Sequence, residues 1–194
     1  AAVAYAQATG KTTLLDVALK NAALIDKVFG PNAKHDVPGH EEIEIGLVKL
    51  YRLTGRRELL NLAKFFLDER GRADGRELYG EYAQDQIPVV QQTHPVGHSV
   101  RAMYLYCGMA DVAALTGDTS YVSAIDRIWQ NMVAGQMYLT GGIGARHGGE
   151  AFGDDYELPN LHAYAETCAA VGNAFWNERM FCMHGDAKYA DVLE

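Results

Sequence analysis

A short signal recurs along this chain: a helical run that closes on glycine, followed by a few polar residues and a fresh apolar period. It stands at Ala8-Thr9-Gly10-Lys11, Leu53-Thr54-Gly55-Arg56, Leu115-Thr116-Gly117-Asp118 and Met183-His184-Gly185-Asp186. Glycine closes a helix in the left-handed conformation without a Cβ penalty, so each repeat predicts an αα-hairpin. Beyond Gly55, residues Leu59, Leu62, Ala63 and Phe66 fall at i, i+3, i+4 and i+7, one apolar stripe on a helix ending near Gly71. Beyond Gly117, residues Tyr121, Ile125, Ile128 and Met132 repeat that period. Residues 41–53 and 97–115 read as partner helices, the second burying Val100, Tyr104, Cys107, Ala110 and Leu115. Strand-like alternation is confined to residues 138–140 and 89–90. The chain is therefore all-α, and hairpins with short turns at one end and long loops at the other suit an α/α toroid; periodicity alone equally allows a bundle or a solenoid.

The 194 residues are 48% hydrophobic, enough for one sizeable core. A formal charge of −8 leaves no surplus of Lys and Arg for a phosphate backbone or an anionic membrane surface, which points away from nucleic acid and lipid and toward a small neutral ligand. Three widely spaced cysteines, Cys107, Cys168 and Cys182, argue against a disulfide framework and for a reducing, cytoplasmic setting. No apolar run approaches the roughly 18–20 residues that span a bilayer, and the first residues lack the order of a signal peptide. The chain opens in the last turns of one helix and ends in the first turns of another. Residues 1–194 are thus expected to be part of a domain truncated at both ends, whose open apolar faces self-associate or pair with a missing segment.

Chemistry-bearing residues collect in three long loops. The first, Asp36-Val37-Pro38-Gly39-His40-Glu41-Glu42, runs into a helix, and on spacing alone His40 reads as a structural residue. A second Gly-His pair, Gly97-His98, opens the helix after Gln91-Gln92-Thr93-His94-Pro95-Val96. Two such pairs at equivalent places offer imidazoles that donate from one nitrogen and accept at the other, which suits sugar hydroxyls. In the third loop, six of the fourteen residues from position 140 to 153 are glycine, and Glu150 emerges from them. No Gly-Lys-Ser/Thr follows, so this is not a phosphate loop. Glu166 and Cys168 then stand at i and i+2, converging on one metal only if the backbone there is irregular or in a first helical turn. A carboxylate and a thiolate suit zinc, although two ligands do not make a site.

Six motifs in order carry a family resemblance: Pro38-Gly39-His40-Glu41-Glu42-Ile43-Glu44, Tyr82-Ala83-Gln84-Asp85, Val96-Gly97-His98-Ser99-Val100-Arg101-Ala102, Thr140-Gly141-Gly142-Ile143-Gly144, Gly149-Glu150-Ala151-Phe152-Gly153 and Ala165-Glu166-Thr167-Cys168-Ala169. Together they resemble glycoside hydrolase family 127, whose members include β-L-arabinofuranosidases. The resemblance implies part of a catalytic (α/α)6 barrel in a longer chain acting on L-arabinofuranosides. It gives Glu150 the role of general acid/base, makes Glu166 and Cys168 zinc ligands, and lines the sugar pocket with His40 and His98. It further implies a retaining double displacement by a zinc-held cysteine. That family's adjacent Cys-Cys pair, which holds the nucleophile, is absent from these 194 residues. The residues themselves leave two other readings open: a non-catalytic sugar-binding helical scaffold, or another enzyme on the same ring such as an epimerase or an unsaturated glucuronyl hydrolase.

Overall fold

All four glycines of the repeat adopt the left-handed conformation, with φ of 70° at Gly10, 70° at Gly55, 73° at Gly117 and 68° at Gly185. The structure, a computed structural model, describes residues 1–194. Each glycine ends the first helix of a pair: α1 (Ala2–Thr9) with α2 (Thr13–Val28), α3 (Ile43–Thr54) with α4 (Arg57–Glu69), α5 (Ser99–Thr116) with α6 (Thr119–Asn131), and α7 (Thr167–His184) with α8 (Ala187–Leu193). Aspartate directly after glycine starts the return helix twice, Asp118 accepting from the Ser120 N–H and Asp186 from the Lys188 N–H. The fold is all-α and built of repeated αα-hairpins.

The first helices of successive pairs pack on one another, α1 on α3, α3 on α5 and α5 on α7, while α2 touches α4. This is a two-layer array with α5 in its middle. The stripes read from the sequence are all buried: Leu59, Leu62, Ala63 and Phe66 on α4, and Tyr121, Ile125, Ile128 and Met132 at α6 and its end. α5 differs from the expected one-sided helix. Met103, Leu105, Tyr106, Cys107, Met109 and Val112 are all fully buried, because neighbours cover it on every side. Tyr104 and Leu115, expected inside, are only partly buried. Trp176 of α7 is fully buried with its ring 4.9 Å from Tyr106, and Asp111 of α5 lies between Arg52 of α3 at 3.4 Å and Arg179 of α7 at 3.2 Å.

Neither expected strand forms. Residues 89–91 make a 3-10 turn after Pro88, and residues 138–141 close a turn in which the Gly141 N–H donates to the Tyr138 carbonyl, leaving one isolated bridge between Met137 and Ile143. No strand runs alongside either segment to complete a ladder. Apolar side chains stand exposed on α2 (Leu14, Val17, Leu24 and Val28) and on α7 (Val171, Phe175 and Phe181). No helix is long and apolar enough to cross a membrane.

The α5–α7 contact is close at Gly172, where an added Cβ would stand 2.7 Å from the Met103 Cβ, an atom that cannot move without its backbone. Alanine raises helix propensity by about 1 kcal/mol, but overpacking costs about 1–3 kcal/mol. Gly172→Ala should therefore lower stability by about 1 kcal/mol in urea denaturation; a gain in stability would contradict this packing.

Candidate active site

As first members of successive hairpins, α3, α5 and α7 run the same way, and the three long loops all enter at their N-terminal ends. His40 precedes α3, His98 caps α5, and Glu166 caps α7 with Cys168 in its first turn. The irregular backbone that convergence of Glu166 and Cys168 requires is present, since Glu166 is extended (φ −59°, ψ 137°) just ahead of the helix.

Glu150 ends a tight turn spanning residues 148–150, with a φ of 51° that a glutamate rarely adopts. The turn is tied to the start of α5. The Phe152 N–H donates to the Gly97 carbonyl at 2.9 Å, and the Ser99 hydroxyl donates to the Glu150 carbonyl at 3.0 Å. Gly97 itself has a φ of 65°, and any Cβ there would overlap the Glu81 carbonyl. These contacts aim the Glu150 carboxyl between two side chains. Its Oε2 lies 2.8 Å from His98 Nε2, and its Oε1 accepts from the Tyr164 hydroxyl at 2.8 Å. That bond pushes the Tyr164 phenol up to about 12. The Glu150 side chain is 44% exposed whereas that of His98 is 11% exposed, so the carboxyl is the reachable member of the pair. His98 Nδ1 is buried without a partner, and the Tyr82 ring meets the imidazole edge-on at 5.5 Å.

His40 is exposed. Its Nδ1 donates to the Glu41 carbonyl at 2.9 Å, which leaves Nε2 as a free acceptor, and its ring stands 6.3 Å from that of Tyr104. The Glu166 carboxylate beside the Cys168 thiol pushes that thiol up, and both groups act electrostatically on Tyr164. Tyr104 in turn lies in the field of Glu42 and Cys168. The structure thus pairs Glu150 with His98 and Glu166 with Cys168, and sets His40 across Tyr104 without direct contact to Glu150.

Zinc is the metal the resemblance implies, and two observations fit it. Glu166 Oε2 is buried without a hydrogen-bond partner, and an exposed thiol stands next to its carboxylate. No group of three or more His, Cys, Asp and Glu side chains converges within these residues. Glu166 and Cys168 are the two residues here that could hold such an ion, two of the four ligands a tetrahedral site takes.

Behind the loops lies a buried ionic brace. Arg70, fully buried, meets Glu41 at 2.7 Å and donates to the carbonyls of Ala83 at 2.8 Å and Pro38 at 3.0 Å. Arg101 donates to the Gly39 carbonyl and lies over the Tyr82 ring at 5.0 Å. Burial pushes the Glu41 and Glu44 carboxyls up. Gln84 donates to the carbonyls of Val96 at 2.8 Å and His98 at 3.2 Å. The Tyr82-Ala83-Gln84-Asp85 motif is thereby a support for the His98 loop. Sequence reasoning passed over Tyr164 and Ser99; the only signal was a tyrosine between two alanines two positions before Glu166, and a serine next to His98.

Paired helices that present a carboxyl, imidazoles and a thiol among the loops at one end have the layout of a helical glycoside hydrolase catalytic domain. The chain belongs to glycoside hydrolase family 127: the model of that family's β-L-arabinofuranosidase catalytic domain matches residues 1–194. A curated relative, the non-reducing end β-L-arabinofuranosidase of Bifidobacterium longum subsp. longum, is 39% identical across all of this chain and 32% of its own length. Among solved structures, a family 127 β-arabinofuranosidase superposes with a TM-score of 0.93 at 57% identity, over 99% of this chain and 30% of that one. A family 127 β-L-arabinofuranosidase from Geobacillus stearothermophilus T6 gives 0.93 at 43% identity, over 99% of this chain and 33% of its own. The chain spans about a third of the length of these relatives.

Asp85, the last residue of the Tyr82-Ala83-Gln84-Asp85 motif, is held by an ion pair of its own. Burial acts to raise its carboxyl, but Arg76, in contact at 2.6 and 2.7 Å, and the N–H groups of Tyr79 and Gly71 outweigh it and hold Asp85 below its ordinary 3.8. A carboxyl depressed in the folded state stabilises the fold above its unfolded pKa and loses that stabilisation as pH falls through the folded value. Asp85→Asn should cost about 3 kcal/mol near neutral pH. In urea denaturation the gap from the parent should narrow once pH drops below 3.8; a gap independent of pH would contradict it.

Proposed function

We propose that this chain carries the acid/base residue and half the metal site of a retaining glycoside hydrolase that releases β-L-arabinofuranose from non-reducing ends. The observation that carries the reading is Glu150, a half-exposed carboxyl on a strained turn, held at 2.8 Å by both His98 and Tyr164 where the N-terminal ends of α5 and α7 meet. The named activities of relatives 39–57% identical over essentially the whole chain support it.

In this reading Glu150 in its acid form delivers a proton to the departing glycosidic oxygen, and as a carboxylate it then takes a proton from the water that completes the reaction. His40 and His98 line the sugar pocket, His40 accepting a hydroxyl through its free Nε2 and His98 standing with its Nε2 against Glu150. Glu166 and Cys168 supply two ligands to zinc, which when bound keeps a cysteine sulfur available as thiolate near neutral pH. The nucleophilic cysteine belongs to a segment outside these 194 residues. The exposed apolar stripes of α2 and α7 are then the faces on which further helix pairs of an (α/α)6 ring pack. The intact protein, not this portion alone, performs the reaction.

In the intact protein, Glu150→Gln should lower kcat/KM on an alkyl β-L-arabinofuranoside by roughly 10²–10⁴-fold, the usual share of a general acid/base. Metal analysis of Cys168→Ser should find reduced zinc. Full activity in the first variant would sink the acid/base assignment, and unchanged zinc in the second would sink the ligand assignment.

A further inference from the structure

A glutamate cannot by itself fix the plane of its carboxyl. The terminal torsion, between sp³ and sp² carbons, is broad and roughly two-fold, so either oxygen of a half-exposed Glu150 is free to carry the proton. A general acid gains from alignment of its O–H with the leaving oxygen, and disorder about that torsion forfeits part of the gain. Something outside the side chain must therefore define which oxygen does the work.

We propose that Tyr164 is a positioning residue for Glu150, its hydroxyl donating to Oε1 so that the proton transferred in the acid step resides on Oε2, the oxygen beside His98. The bond is 2.8 Å long, and a phenol has one proton to donate. A proton placed on Oε1 would oppose it, whereas Oε2 can carry the proton with His98 Nε2, 2.8 Å away, as the acceptor nitrogen of a neutral imidazole protonated on Nδ1. Tyr164 is itself held firmly. Its N–H donates to the Ala145 carbonyl at 3.1 Å, the next residue donates to the Gly144 carbonyl at 2.9 Å, and its ring meets the His147 imidazole edge-on at 5.1 Å. Ser99 fixes the other end of Glu150 through the backbone carbonyl. The glutamate is thus located at both its backbone and its carboxyl, and Tyr164 contributes the contact that distinguishes the two oxygens. The same bond serves the second step, because it leaves Oε2 as the oxygen that receives the proton of the incoming water.

The inference rests on the proposed acid/base role of Glu150, and the test separates the two. The intact protein, Tyr164→Phe and Glu150→Gln are each assayed on methyl and on 4-nitrophenyl β-L-arabinofuranoside, with thermal midpoints taken to verify folding. The methyl substrate needs a proton on its leaving oxygen, while 4-nitrophenolate departs without one. Loss of one hydrogen bond to a carboxyl that becomes anionic as its proton leaves is expected to lower kcat/KM of Tyr164→Phe about tenfold on the methyl substrate, and less than about threefold on the nitrophenyl one. Equal losses on both substrates would reveal a merely structural tyrosine and overturn the inference, as would no loss on either. Glu150→Gln that fails on the methyl substrate beside an unaffected Tyr164→Phe would overturn the inference alone. Glu150→Gln that retains the methyl activity would overturn the acid/base reading and the inference with it.

Discussion

The Arg70 guanidinium, fully buried at the C-terminal end of α4, is the point through which the loops of the site are joined to the helices. Moving such a charge out of water costs several kcal/mol, and the cost is offset only where its donors are met. Here Glu41 at 2.7 Å provides the opposite charge and the carbonyls of Ala83 and Pro38 each accept a bond, while Nε is buried without a partner. Those three partners belong to the segments that carry His40 and Tyr82, so the demand of one buried cation for satisfaction fixes both loops against one helix. Arg101 extends the arrangement to α5 through Gly39 and the Tyr82 ring. His98 sits one helical turn before Arg101 and is gripped through its own carbonyl by Gln84.

A second constraint is directional. The αα-hairpin repeat forces every first helix to point the same way, so the long loops, free of the tight glycine turns, all gather at one end. Glu150, His98, Glu166 and Cys168 reach that end from loops far apart in sequence because α5 and α7 are packed side by side, closely enough that Gly172 has no room for a methyl group. At the opposite end of the same helices, Asp111 of α5 bridges Arg52 and Arg179 and ties α3, α5 and α7 together.

The hairpins were legible because their signals are local. A glycine in the left-handed conformation and an i, i+3, i+4, i+7 stripe each depend on a few adjacent residues, and all eight stripe positions proved buried. The all-round burial of α5 was not legible from a one-sided pattern, since it depends on how many neighbours arrive. Residues 89–90 and 138–140 misled for the related reason that a strand needs a partner no short run can specify. Among the site residues, the Glu-x-Cys spacing asked for irregular or first-turn backbone if the two were to share a metal, and a helix does begin directly after Glu166. The partnership of Glu150 with His98, 52 positions earlier by subtraction, and with Tyr164 depends on loop geometry rather than on sequence spacing. Tyr164 lies in a stretch whose composition marks it only as a connector.

In the proposed reaction Glu150 serves a double displacement rather than a single inversion. That course is tested most directly by following the intact protein on 4-nitrophenyl β-L-arabinofuranoside in the presence of methanol by ¹H NMR, where methanol traps the sugar before the free furanose can change ring form. Two successive displacements predict methyl β-L-arabinofuranoside as the trapped product. The α-anomer would contradict the account.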